Sequence, residues 1–300
     1  MSDLLIGCGQ ITWVKFASSR AEDLAPQEQI LTEIAQAGYD GAPAGPEQGH
    51  PAQESLELYK RHGLRPAPGY IGAEFWNRER RDEILERVRL HAAFLRAVSC
   101  TELYVAPSGF DYVTRSGRTR YELAGHVRPE DSLSDEEFQI FAETLNMAGA
   151  ITLAEGVRSC FHNHVGTVIE TREEVDRLLG LTDPNRVFLG PDTGHLAWAG
   201  ADPVAFCRDY AQRVKTLHLK DISIPVREEG RNAGWDYGTF EQQGIFVELG
   251  EGNVDFPAIF TILREVNFSG WLIVETDVTQ KPSVLESATV SRAYLRSLGL

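Results

Sequence analysis

Four apolar runs in the second half of the chain end in residue types that bind metals or move protons. The first closes as Cys160-Phe161-His162-Asn163-His164-Val165-Gly166-Thr167, with Glu170 slightly farther on. The second closes as Leu189-Gly190-Pro191-Asp192-Thr193-Gly194-His195, the third as Leu217-His218-Leu219-Lys220-Asp221, and the fourth as Ile273-Val274-Glu275-Thr276-Asp277. His162 and His164 stand two apart, so on an extended chain both point to one face and can address one pocket. Gly190 and Gly194 permit a tight turn and close approach to a ligand. Imidazoles and carboxylates arriving from neighbouring strands form the donor set of one divalent cation, and mixed oxygen and nitrogen donors suit Mn, Co, Mg or Zn better than a thiolate-preferring metal. Such a cation polarises a substrate oxygen and stabilises negative charge formed beside it.

Each of these residue types also has a purely structural use. Asp192 can cap a turn, Glu275 can be half of an interior ion pair, and His218 can be a hydrogen-bonded core histidine. Lys220 can be a counter-ion for Glu275 or Asp192, and His162 and His164 can be packing residues held by hydrogen bonds. Trp13 after strand one, Tyr70, and Trp76 within Glu74-Phe75-Trp76 after strand three either wall the site or belong to the core. The loop Gly234-Trp235-Asp236-Tyr237-Gly238 is either a lid or packing of an insertion. His50, His62, His91 and His126 fall outside the strand-end pattern and read as surface residues.

Apolar runs and amphipathic stretches that alternate from end to end supply the elements that must position these groups. Strand one, Leu4 to Ile11, precedes a helix from Pro26 to Ala37, where Ile30, Leu31 and Ile34 recur at helical spacing and Gly38 is a stop. Strand two, Tyr39 to Ala44, leads to a helix from Ala52 to His62. Strand three, Leu64 to Tyr70, leads to a helix from Glu79 to Val98. Strand four, Glu102 to Ala106, is followed by a polar excursion from Pro107 to Arg128 and a helix after Ser134, where Ser134 and Glu137 form a capping box. Val157 to Phe161, Arg186 to Leu189, Val214 to Leu219 and Trp271 to Val274 are strands five to eight. Their helices are Arg172 to Leu179, Pro203 to Tyr210, Pro257 to Val266 and Pro282 to Leu298. Eight strands, each followed by a helix, predict a single (β/α)8 TIM-barrel domain over residues 1–300, with a loop insertion at about 222–252. No Gly-x-Gly-x-x-Gly follows strand one to support an open dinucleotide-binding sheet. In such a barrel the active site lies at the C-terminal ends of the strands, where all four motifs fall.

The composition narrows the partners. Lys plus Arg is 29 against 44 for Asp plus Glu, a net charge of −15 that repels both a phosphate backbone and anionic lipid. The expected partner is therefore a small molecule, with no nucleic acid and no membrane. Cys8, Cys100, Cys160 and Cys207 form no Cys-x-x-Cys, which fits reduced thiols in a cytoplasm. The start, Met1 to Cys8, has no basic segment ahead of its short apolar run, and no stretch of about 18 apolar residues occurs. A cytoplasmic location is expected.

Together, His162-Asn163-His164-Val165-Gly166-Thr167, Asp192-Thr193-Gly194-His195, His218-Leu219-Lys220-Asp221 and Glu275 resemble the xylose isomerase-like TIM barrel superfamily of sugar isomerases and epimerases, over essentially the whole chain. The His-x-His-x-Gly-Thr strand end, the segment from Gly244 to Gly252, and Asp255-Phe256 resemble its inosose dehydratase family. The resemblance implies one divalent metal held from strands five to eight by Asp192, His218 and Glu275. Glu170 is the strand-five carboxylate candidate, with His162 or His164 as the alternative, because many relatives carry a Glu where His162 stands. The implied reaction dehydrates a keto-cyclitol of the 2-keto-myo-inositol kind through an enediolate, with His164, Lys220 or Glu170 moving the protons. His162, His195, Trp13, Tyr70 and Trp76 are the expected contacts to a polyol or sugar, and a homo-oligomer is compatible with the pattern. A sugar isomerase or epimerase would reprotonate the same intermediate. A metal-dependent endonuclease and a non-catalytic sugar-binding barrel are further readings, the former opposed by the charge. At strand two, relatives often read Gly-Ile-Glu and this chain reads Gly41-Ala42-Pro43.

Overall fold

The apolar runs become parallel strands that are buried on both faces, as strands lining a helix-covered barrel must be. A computed structural model describes residues 4–46 and 49–300. Met1, Ser2 and Asp3, part of the leader-free start expected above, lie outside the described residues. The strands are β1 (Leu4–Cys8), β2 (Gly41–Pro43), β3 (Arg65–Ala67, resumed after Pro68 as Gly69–Ala73), β4 (Glu102–Pro107), β5 (Arg158–Phe161), β6 (Val187–Leu189), β7 (Leu217–Leu219) and β8 (Gly270–Val274). Parallel pairing runs from the first half of β3 through β2, β1 and β8 to β7, and from the second half of β3 through β4 and β5 to β6. Pro68 has no amide proton to give to a ladder, which accounts for the break inside β3. Between β6 and β7 the ring continues through parallel bridges at Leu189–Val214 and Asp192–His218. This is the TIM barrel predicted by the alternation of strands and helices.

The outer helices follow the sequence signals closely. Helix Gln27–Ala37 buries Ile30, Leu31 and Ile34 and ends at Gly38, whose φ of 87° is left-handed. Helix Asp135–Ala154 starts with the expected capping box, Ser134 and Glu137 each satisfying the other's amide. Helices Arg172–Leu181, Pro203–Tyr210, Phe256–Glu265 and Val284–Ser297 complete the second half.

Three features at the mouth depart from the expected elements. Strand one stops at Cys8, and Ile11–Ser19 is a helix, because Gln10 caps it through its carbonyl and the chain turns outward at Gly9. A Cβ at Gly9 would lie 2.1 Å from Glu275 Oε1, so only glycine leaves room for that side chain. A second short helix, Thr193–Trp198, starts directly after Asp192. The insertion is folded rather than loop: it holds helices Ile224–Ala233 and Tyr237–Gln242 and an antiparallel ribbon of Asp221–Ile222 with Phe246–Val247. Asp221 fastens this ribbon by accepting the amides of Ile222, Gly250, Gly252 and Val254. His91, read as a surface residue, is 6% exposed on the inner face of its helix.

Candidate active site

The strand ends bring His162, Asp192 and His218 together, their ligand atoms all within 4.8 Å of one another. Each is held by backbone that the sequence fixes locally. His162 Nδ1 lies 3.1 Å from the Gly190 carbonyl, which can only accept, so Nδ1 carries the proton and Nε2 keeps its lone pair. Asp192 is the N-cap of helix Thr193–Trp198: its Oδ1 accepts the His195 amide at 2.9 Å. The capping use foreseen for Asp192 therefore consumes one oxygen only. The Asn163 amide oxygen receives the Asp192 amide at 3.0 Å, and Thr193 Oγ1 receives that of Lys220 at 3.0 Å, which locks the ends of β5, β6 and β7 in register. Gly194 lets this packing close, since a Cβ there would lie 2.5 Å from Lys220 Cβ.

Two buried atoms inside this group, Asp192 Oδ2 and His218 Nδ1, 3.7 Å apart, make no well-formed hydrogen bond among the described residues and have only ion-pair neighbours, Lys220 Nζ at 3.4 Å and Glu275 Oε2 at 3.1 Å. A carboxylate oxygen and an imidazole nitrogen so incompletely satisfied in the interior are costly, and a divalent cation bound by both would complete them. The residues present therefore fit the metal that their chemistry suggests. Glu275 Oε2 approaches His218 Nδ1 to 3.1 Å and is placed to join them.

A second group, His164, His195 and Asp277, also gathers three ligand atoms. It is already served by an internal cation. Lys220 Nζ lies 2.7 Å from Asp277 Oδ1, 3.2 Å from Glu275 Oε2, 3.4 Å from Asp192 Oδ2 and 3.3 Å from His195 Nε2. Burial disfavours its charge, but Asp277, Asp192 and Glu275 outweigh that and hold Lys220 well above its ordinary pKa. Burial also pushes Asp192 up to about 6 against the pull of Lys220 and His218. For Glu275 the balance is reversed: burial is overcome by His218 and Lys220, and its carboxyl falls to about 2. Burial and the Lys220 charge depress His164 to about 3, so its ring is neutral.

These groups face a cavity of about 430 Å³ at the C-terminal mouth of the barrel. Its floor is the Tyr104 ring, 4.2 Å from the His218 ring centre, with the phenol turned down onto Thr216 at 2.6 Å. Phe110 and Tyr237, in edge contact at 5.1 Å, bracket His164. A larger cleft of about 740 Å³ opens at the opposite end, where the strands begin, and no histidine lines it.

Of the residues proposed from sequence, His162, His164, His218, Lys220, Glu275 and Tyr70 line the cavity, and Asp192 and His195 sit directly behind them. Three do not reach it. Glu170 is buried and spends both oxygens on backbone, accepting the Gly125 amide at 2.8 Å and the Gly166 amide at 2.7 Å, so it ties loops together instead of offering a ligand. Trp13 turns away and donates its indole N–H to Glu33 at 2.7 Å. Trp76 packs on Tyr112 and Phe141. Missed residues are Asp277, two positions beyond Glu275 on the same strand-end face, and Lys15, Phe110 and Tyr104. The Glu275-x-Asp277 spacing was the available signal for the first.

Residues 31–298 match the xylose isomerase-like TIM barrel family. The chain belongs to that family. The inosose dehydratase of Geobacillus kaustophilus is 33% identical over 289 residues, 96% of this chain and 91% of that protein. Solved structures share the fold at lower identity. The 3-keto-D-glucoside 4-epimerase YcjR from E. coli has a TM-score of 0.70 and 17% identity, over 98% of this chain and 99% of that one. The IolI protein, solved with a zinc atom bound, has a TM-score of 0.68 and 15% identity, over 98% of both chains. With these relatives the chain is an enzyme of the lyase or isomerase type. No helix among the described residues is long and apolar enough to cross a membrane.

Proposed function

We propose that the protein is a sugar- or cyclitol-processing lyase that removes water from a keto-cyclitol of the 2-keto-myo-inositol kind, with one divalent cation held by Asp192, His218, Glu275 and His162. The observation that carries the reading is the gathering of His162, Asp192 and His218 ligand atoms within 4.8 Å at the barrel mouth, with Asp192 Oδ2 and His218 Nδ1 buried and making no well-formed hydrogen bond among the described residues. The name of the Geobacillus kaustophilus relative supports the dehydratase assignment, and the zinc in IolI supports a metal. When bound, such a cation supplies Lewis acidity to a ketone oxygen and stabilises the charge that enolisation creates.

The protein's own groups divide the proton transfers. His164 directs its Nδ1 at the Val165 carbonyl, 2.7 Å away, and so carries the proton there and a lone pair at Nε2. That lone pair accepts the proton from the carbon beside the ketone. Lys220, kept charged by three carboxylates, donates a proton to the hydroxyl leaving the next carbon, which departs as water. Phe110 and Tyr237 cover His164 and keep bulk water from the carbanionic carbon. The test is incubation of manganese-loaded protein with 2-keto-myo-inositol, read by mass and NMR. A product lighter by one water supports dehydration, whereas solvent deuterium entering a product of unchanged skeleton assigns an isomerase or epimerase instead.

A further inference from the structure

Three polar side chains, Gln10, Lys15 and Tyr70, line the side of the cavity built by β1 to β3. They differ in what they can offer a ligand. The Tyr70 hydroxyl both donates and accepts, so it adapts to either kind of partner. Lys15 Nζ only donates, and it is occupied by both oxygens of Glu241 at 2.9 and 3.0 Å. Gln10 is fixed. Its Nε2 donates to the Pro43 carbonyl at 3.0 Å and, more weakly, to the Tyr59 hydroxyl at 3.4 Å, whose own proton goes to the same carbonyl at 2.6 Å. A carbonyl can only accept, so the amide nitrogen is the atom that faces it and the orientation of the amide is set. Both amide hydrogens are thereby spent, and Oε1 receives no hydrogen bond from any described residue. Gln10 is also the N-cap of helix Ile11–Ser19 and gives that helix no side-chain hydrogen bond, so capping, the usual employment of a polar side chain at this position, does not explain it. It follows directly on Gly9, where a Cβ would lie 2.1 Å from Glu275 Oε1, so it stands beside a proposed ligand of the cation.

We infer that Gln10 is a specificity-determining residue whose Oε1 accepts a hydrogen bond from one hydroxyl of the bound ring, a hydroxyl other than the groups that face the cation. The inference rests on the keto-cyclitol reading for the choice of ring, but it is tested by binding. An acceptor fixed in this way rewards a donor and nothing else. A ring that lacks the hydroxyl leaves the oxygen without its partner, and a ring that carries a carboxylate or phosphate there sets lone pairs against it.

The experiment is calorimetry on the manganese-loaded protein with unreactive probes, myo-inositol and its monodeoxy derivatives, each lacking one hydroxyl. In the parent, deletion of the hydroxyl that meets Gln10 is expected to weaken binding on the order of ten-fold. In Gln10→Leu that one deletion is expected to cost nothing while the others keep their cost, the pattern of a coupled pair in a double-mutant cycle. Gln10→Met, which keeps the length of the side chain, is expected to repeat it. A parent that tolerates every deletion overturns the inference outright. So does a profile unchanged in both variants, or a uniform loss across all probes, which would assign Gln10 to shaping the end of β1 alone. Turnover of 2-keto-myo-inositol by the parent is measured alongside. A profile that depends on Gln10 without turnover leaves the inference standing and removes the proposed reaction, whereas turnover with no position that depends on Gln10 does the reverse. If no inositol binds, both fall.

Discussion

Replacing Glu174 by Ala tests whether the site's rear support is built as described. Glu174 is 3% exposed and takes five hydrogen bonds: Arg120 Nη1 at 2.8 Å and Nη2 at 2.9 Å, Ser132 Oγ at 2.7 Å, and the amides of Glu170 at 2.8 Å and Thr171 at 3.0 Å. Arg120 is fully buried, so the substitution leaves a guanidinium in the interior without its carboxylate. Removing one partner of such a pair costs about 3–5 kcal/mol. For a chain of this length each kcal/mol moves Tm by about 2 °C, which gives a fall of roughly 6–10 °C. Differential scanning calorimetry reads it directly. Arg120 lies on the excursion after β4 and Glu174 on the helix after β5, so the same variant should loosen the loop that carries Phe110 over the cavity, visible as faster amide exchange around residues 108–112. A Tm within about 2 °C of the parent would refute the reading of this pair as the anchor between the excursion after β4 and the helix after β5.

Glu170 makes stability depend on pH. Burial raises its carboxyl from an ordinary 4.5 to about 7 despite Arg120 nearby, so between those values the folded state holds a proton that the unfolded state has released. Its contribution, roughly 3 kcal/mol by the usual conversion, is fully present below about pH 4.5 and lost as pH rises through 7; urea midpoints across that range should show this fall in the parent and not in Glu170→Gln. Substituting His164 by Gln is expected to abolish deuterium exchange at the carbon beside the ketone while metal content is kept. Lys220→Met should preserve that exchange and block loss of water, and the opposite pattern would swap the two roles.

The sequence made the strand ends legible because buried parallel strands read as apolar runs, and a histidine or carboxylate closing one is conspicuous. Asp192, His218 and Glu275 were found in this way. The β5 donor was not: whether His162 or Glu170 faces the site depends on the turn after Thr167, which folds Glu170 back onto Gly125 and Gly166. No local periodicity encodes that reversal. Trp13 failed for a related reason. Its position after β1 suggested the mouth, but the helix Ile11–Ser19 rotates it outward onto Glu33 and presents Ile11, Val14 and Lys15 instead. Short helices of this kind, like Thr193–Trp198, carry too few residues for an apolar stripe to announce them. Lys220 was read as either counter-ion or proton carrier, and its contacts with three carboxylates allow both.

Asp192 and His218 are proposed to hold the cation, whose binding would complete the coordination of Asp192 Oδ2 and His218 Nδ1. The most direct measurement is manganese binding followed by isothermal calorimetry and elemental analysis on the parent, Asp192→Asn and His218→Ala. The account predicts one equivalent in the parent, loss of at least ten-fold in affinity in each variant as for removal of a ligand, and circular dichroism unchanged. Parent-like affinity and stoichiometry in both variants would contradict it.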